Sequence, residues 1–379
     1  MTRSAIPRRH HRLPLPLVVL AAAVTAAAPA APARAAAPAT MTVATSARPD
    51  GESLRGGRQF VVRLKEAPTA IRPAGNADAY RKHLSGVLSA VLEDAGARTR
   101  QTYSTIFNGF SATLTGTQAA ELAADHRVAA VTPVQVLHTE APGTEPARPA
   151  APQPGGGAGT IVAMIGTGIW PESPSFAGNR PAPTGWHGTC QAGDGFPAST
   201  CTGNAVLGAR HFADTWLADG GSLPDGEILS ARDMDGHGTY TASVAAGVPV
   251  EHSVVLGRDL GPVAGVAPAA RIAVYKAFWG GMGYDADVLA ALDAAVADGV
   301  GVIALAGRVP GEGSAVGTAL RNADQAGVLV IEAARAADGA VAGRAAVLRS
   351  RHPAWSPGAV TAALRTTTTT TTGGGGDGS

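Results

Sequence analysis

Ile161-Val162-Ala163-Met164-Ile165-Gly166-Thr167-Gly168-Ile169-Trp170-Pro171-Glu172-Ser173 runs five apolar residues into Gly-Thr-Gly and then a proline. An apolar run of this length, closed by turn residues, reads as a strand buried on both faces and entering a tight turn. From this strand outward the same pattern repeats. Strands are expected over 160–165, 271–276, 300–305 and 328–331, and helices over about 238–246, 285–298, 315–326 and 336–348. Strands alternating with helices predict an α/β fold, a parallel sheet with helices on both faces.

Upstream lies a second, smaller pattern. Phe60 to Leu64 is a strand, and Tyr80, Leu84, Val87, Leu88, Val91 and Leu92 recur at helical spacing. Thr102-Tyr103 and Phe110 to Leu114 read as strands around the Asn108-Gly109 turn signal. A helix over 117–124 and a strand over 128–131 complete the order strand-helix-strand-strand-helix-strand, the α+β ferredoxin-like arrangement. The expected domain plan is a secretory leader over 1–35, a linker over 36–57, the small domain over 58–140, a Pro/Gly linker over 141–157, the α/β domain over 158–365 and a low-complexity tail over 366–379.

Arg3, Arg8, Arg9 and Arg12, the apolar run that follows them and Ala33-Arg34-Ala35 give the leader its form, so the product is expected to be secreted (extracellular). No membrane span is expected in the mature chain. Thirty basic and twenty-nine acidic residues leave a formal charge of +1, which argues against nucleic acid as a partner. The only two cysteines, Cys190 and Cys201, are expected to form a local disulfide in an exported chain. No histidine stands at ligand spacing between them, which disfavours a zinc pair.

Several blocks carry a resemblance. The quoted strand and turn are one. Ser230-Ala231-Arg232-Asp233-Met234-Asp235-Gly236-His237-Gly238-Thr239 is another, with Gly265 to Lys276 and Asp293 to Val300 behind it. Together they resemble the subtilisin-like serine proteases, in the large secreted branch of plant and actinobacterial enzymes. Phe107-Asn108-Gly109-Phe110-Ser111-Ala112 and Val131-Thr132-Pro133 resemble the inhibitory propeptide of the same family. The resemblance implies a subtilisin-like sheet, here truncated. It also implies a propeptide acting in cis, with its tail (134–139) in or near the substrate cleft.

Transferred position by position, the resemblance also implies a damaged site. His237 matches the catalytic base, which must face a nucleophile through one ring nitrogen and a carboxylate through the other. Gly166 stands where the family has the aspartate. Counting back from Val341-Ala342-Gly343 and Trp355-Ser356-Pro357 puts Arg335 at the serine position and Gly339 at the following proline. The segment that bears the oxyanion asparagine in the family is missing between Ile331 and this helix. Ala306-Gly307-Arg308 replaces Ser-Leu-Gly on the strand expected to bind substrate backbone. Either Asp233 or Asp235 is near enough in sequence to orient His237. The resemblance admits calcium, although no acidic loop has a calcium-binding pattern.

Three functions stay open on the sequence: a pseudoprotease, an active serine endopeptidase with a damaged reading frame, and an inhibitor module. Peptides and related secreted proteases are the partners considered. The missing segment also predicts exposed apolar faces on helix 336–348 and a marginal α/β domain.

Overall fold

A computed structural model describes residues 57–72, 75–139, 152–259, 261–333, 335 and 338–369. The leader, most of both linkers and the end of the tail lie outside the described residues.

The first module is built from β1 (Arg58–Leu64), α1 (Ala77–Asp94), β2 (Thr99–Tyr103), β3 (Gly109–Leu114), α2 (Gly116–Ala124) and β4 (Val128–Pro133). Its four strands lie in the order β2-β3-β1-β4, with antiparallel neighbours, as the ferredoxin-like reading requires. The helices begin where the sequence supplies caps. Asn76 accepts the N–H groups of Asp78 and Ala79, and Thr115 forms a capping box with Gln118. Val62, Leu64, Leu84, Val91, Phe110 and Leu114 fill the core of this module.

The chain continues through β5 (Val136–His138) into the α/β layers. These comprise β6 (Ile161–Gly166), β7 (Val206–His211), α3 (His237–Ala246), a small hairpin of β8 (Val254–Val255) and β9 (Arg258–Asp259), and β10 (Arg271–Lys276). They continue with β11 (Met282–Tyr284), α4 (Asp285–Ala297), β12 (Val302–Leu305), α5 (Ala315–Gln325), β13 (Leu329–Glu332), α6 (Gly339–Arg351) and α7 (Pro357–Thr369). The main sheet is parallel in the order β13-β12-β6-β10-β7, so the quoted strand β6 is central. Along β6 the side chains divide by alternation. Val162 and Met164 join the core beneath α3, α6 and α7, whereas Ile161, Ala163 and Ile165 join the core beneath α4 and α5.

Four differences from the sequence reading have physical causes. β7 was not anticipated because Gly208, Arg210 and His211 break its apolar pattern; Gly208 is required, since a Cβ there would lie 2.5 Å from the Trp186 ring. The α/β domain starts earlier than 158: Gln153 already bonds Val266, and Gly156 and Gly157 are buried. α6 spans 339–351 instead of 336–348, and its apolar face is buried against α3 and the sheet, so the expected exposure of that face is not seen. α7 replaces the start of the expected low-complexity tail, anchored by Val360 and Leu364 at helical spacing. Cys190 and Cys201 are bridged, with Cα atoms 6.0 Å apart.

The first module sits on α4 through buried polar contacts. Asp293 accepts the backbone N–H groups of Ser104, Thr105, Ile106 and Phe107, at 2.7–3.3 Å. Gln101 donates to Asp287 at 2.7 Å, and the Tyr103 hydroxyl donates to the Ala286 carbonyl at 3.1 Å. Gln135 and Asp285 exchange two bonds. Burial pushes the carboxyls of Asp285 and Asp287 up to about 7, and that of Asp293 upward, against the bonds that favour their ionised forms.

Candidate active site

At the C-terminal edge of the sheet, β6 ends in Gly166 and turns through Thr167 and Gly168 against the start of α3. The Gly238 N–H donates to Thr167 Oγ1 at 2.8 Å, and a Cβ on Gly238 would lie 2.3 Å from the Gly168 carbonyl. Only glycine permits that approach, which sets buried His237 beside the turn that follows Gly166. Gly166 itself has no such excuse. It is not among the glycines with positive φ, and an added Cβ would meet only the Ala306 Cβ, at 3.3 Å. A Cβ would need Ala306 to shift slightly.

Asp233 and Asp235 do other work here. Asp233, fully buried, accepts the hydroxyls of Thr167 and Thr239 and the N–H groups of Asp235, Gly236 and Thr239. Asp235 accepts the main-chain N–H of His237 at 3.0 Å. Both shape the loop that launches α3.

Beside Gly166 in register stands Lys276, with no exposed side-chain surface. Its ammonium donates to Glu227 at 2.6 Å and to the Arg232 carbonyl at 2.7 Å, and lies 4.3 Å from the centre of the Trp279 ring. Burial pushes its pKa down, while the Glu227 carboxylate pulls it up. Glu227 also accepts the Gly280 N–H, so the pair ties the loop before α3 to the segment leading into β11. Glu227→Gln leaves a buried ammonium uncompensated, and is expected to destabilise the full chain by about 3–5 kcal/mol. Urea unfolding checks this, and pairing Glu227→Leu with Lys276→Met should recover much of the loss.

An extended segment lies between β11 and residues 306–308. β5 pairs antiparallel with β11, with His138 opposite Met282, Leu137 opposite Gly283 and Val136 opposite Tyr284. Thr139 N–H donates to the Gly281 carbonyl at 2.9 Å. On the other side lies Gly307, at φ +90°, where a Cβ would approach the His138 carbonyl to 2.9 Å and the Phe278 ring to 3.0 Å. The side chains alternate. Val136 is 47% exposed, whereas Leu137 is buried in the core with Phe278 and Ala306. The segment 306–308 therefore flanks an extended strand, with Ala306 and Gly307 buried and Arg308 exposed.

Residues 157–334 match the Subtilase family (peptidase S8), and residues 59–140 match peptidase inhibitor I9. The chain carries a subtilase domain behind an I9 inhibitor domain. It is 43% identical over 215 residues to the subtilisin-like protease SBT1.5 of Arabidopsis thaliana, covering 54% of this chain and 28% of that protein. Against SBT1.4 of the same plant it is 37% identical over 269 residues, 68% of this chain and 34% of that protein. The chain thus spans about a third of the length of these relatives. Fervidolysin from Fervidobacterium pennivorans, a keratinolytic enzyme related to subtilisin, aligns with a TM-score of 0.41 at 15% identity, over 74% of this chain and 40% of that one.

The subtilase match ends one residue before Arg335. Arg335 lies between β13 and α6, exposed, its guanidinium 3.2 Å from Asp338 Oδ1. Gly339 opens α6 against α3: a Cβ there would lie 2.4 Å from the Thr241 carbonyl, one turn beyond His237. The hydroxyls raised by the sequence serve helices. Ser243 donates to the Thr239 carbonyl, Ser314 caps α5, and Ser350 donates to the Val347 carbonyl. Among the described residues no three His, Cys, Asp or Glu side chains gather as a metal set. No helix among the described residues is long and apolar enough to cross a membrane.

Sequence reasoning missed β11 and the Lys276–Glu227 pair. Three residues with a central glycine give no strand pattern, and an ion pair spanning 49 positions leaves no local signal. A lysine at the end of an otherwise apolar strand was the one available clue.

Proposed function

We propose that this chain is a secreted subtilase-family pseudoprotease that holds its own inhibitor tail in its peptide groove and does not hydrolyse peptides. The observation that carries this reading is Gly166. Gly166, taken as the acid position, lies on backbone of negative φ that any residue adopts, and it carries no carboxylate. A triad base without its orienting acid loses roughly ten-thousandfold in turnover before the nucleophile is considered.

The remaining features agree. A guanidinium has only donors and no nucleophilic lone pair to offer, so Arg335 cannot attack a carbonyl. The groove keeps what an extended peptide needs, namely the β11 edge and the bare backbone at Gly307, so strand addition survives where chemistry does not. Secretion follows from the leader-like sequence. The inhibitor role of residues 58–140 is exerted in cis through Asp293 and the groove.

A fluorophosphonate probe tests for an activated serine directly. The purified chain is expected to take no label above a heat-denatured control. Labelling that disappears in His237→Ala would mean that a serine elsewhere is activated by this histidine, and the reading would fall.

A further inference from the structure

The seam between the two domains contains a recess of about 460 Å³, away from the peptide groove. Its walls come from both sides: Ala70, Arg81 and Thr105 of the inhibitor domain, and Val296, Val328 and Arg349 of the subtilase domain. Arg349 reaches it from the last turn of α6. Among the described residues the buried Arg349 Nη1 has no hydrogen-bond acceptor, and none of those lining the recess is a carboxylate. A buried charged donor without a partner costs more than an ordinary lost hydrogen bond, so an acceptor brought to Arg349 is favoured. The desolvation is also felt as a downward push on the Arg349 pKa. Arg81, the second cation, is over half exposed and pairs only with Asp78 on its own helix.

We propose that this recess is a binding site for a small anionic molecule, its phosphate or carboxylate group held by Arg349 and Arg81. The volume exceeds that of an inorganic ion and falls within the range of small-ligand sites, which are commonly apolar with a few placed polar groups. Val296, Val300, Val328 and Ala70 supply the apolar wall for the body of the ligand. Guanidinium groups suit this task because their planar donors match phosphate and carboxylate oxygens in pairs. Since neither domain forms the site alone, a ligand there stabilises the docked state in proportion to its occupancy. The site is thus an effector site for domain docking, chemically separate from the groove and independent of whether the triad is dead.

The test uses the full secreted chain, with inorganic phosphate, glycerol 3-phosphate and citrate as probes at constant ionic strength against chloride. Calorimetric titration should show saturable, one-to-one binding, and each probe that binds should raise the melting temperature. Arg349→Met and Arg81→Gln should each weaken binding about tenfold or more, the loss expected for one charged hydrogen-bonding partner. Glycerol 3-phosphate or citrate binding more tightly than phosphate would show that the apolar wall contributes. Arg321→Gln, on the outer surface of α5, should change nothing. Equal melting shifts in wild type and both recess variants would reveal only the general exclusion of such salts from protein surfaces and would overturn the site. Should Arg349→Met fail to fold, Arg81→Gln decides: unchanged affinity there refutes the proposal.

Discussion

Purified protein is expected to turn over peptide and ester substrates at the rate of buffer alone, and His237→Ala to leave that rate unchanged. In a working triad the loss of the serine or the histidine costs roughly a millionfold in turnover, and the groups fail as a unit. On the proposed reading two of the three positions are held by Gly166 and Arg335, so removing His237 should have nothing left to abolish. Restoration separates the contributions. Arg335→Ser alone should stay at background, because on the proposed reading Gly166 supplies no carboxylate at the acid position. Adding Gly166→Asp requires Ala306 to give way, since the new Cβ would lie 3.3 Å from the Ala306 Cβ. Even the double variant lacks the oxyanion donor, which by itself withholds roughly 10²–10³ in rate. Wild-type hydrolysis that vanishes with His237→Ala is the result that would sink this expectation.

How much of this was legible beforehand differs by element. β6 and β12 were visible because a strand buried on both faces reads as an apolar run, and β10 and the edge strand β13 carry three or four consecutive apolar residues that read the same way. The order of the small domain was equally plain, since its helices and strands alternate with caps and turn residues at their ends. His237 and Gly166 could be placed because a motif is local, and the structure brings their two turns together as the motif implies. What stayed hidden depends on partners distant in sequence. Asp293 sits in a helix that reads as structural, yet it receives four N–H groups from a loop some 186–189 residues earlier. α7 was obscured by its own composition. Threonine is a poor helix former, so the run from Thr366 reads as low complexity, while two apolar residues one turn apart dock the helix onto the core.

The inhibitor domain is expected to remain covalently attached after secretion. Cleavage of the junction after residue 139 by the same molecule would need a nucleophile, and on the proposed reading Arg335 stands at the serine position. The tail is already seated: β5 is paired with β11, Leu137 is buried, and the backbone of Gly307 lies against His138. An attached strand competes with any free peptide at an effective concentration in the millimolar range, so the groove should reject added peptides until the tail is displaced. Tail exit also requires breaking the seam at Asp293, where four backbone donors would lose one buried carboxylate together. Expression in a protease-deficient host, followed by N-terminal sequencing and intact mass, decides the matter. A start near Ala36 with the inhibitor domain retained is the expected product. A homogeneous start between residues 140 and 159 in that host would mean that the chain cuts itself, and Gly166 and Arg335 could then no longer be taken as the marks of a dead site.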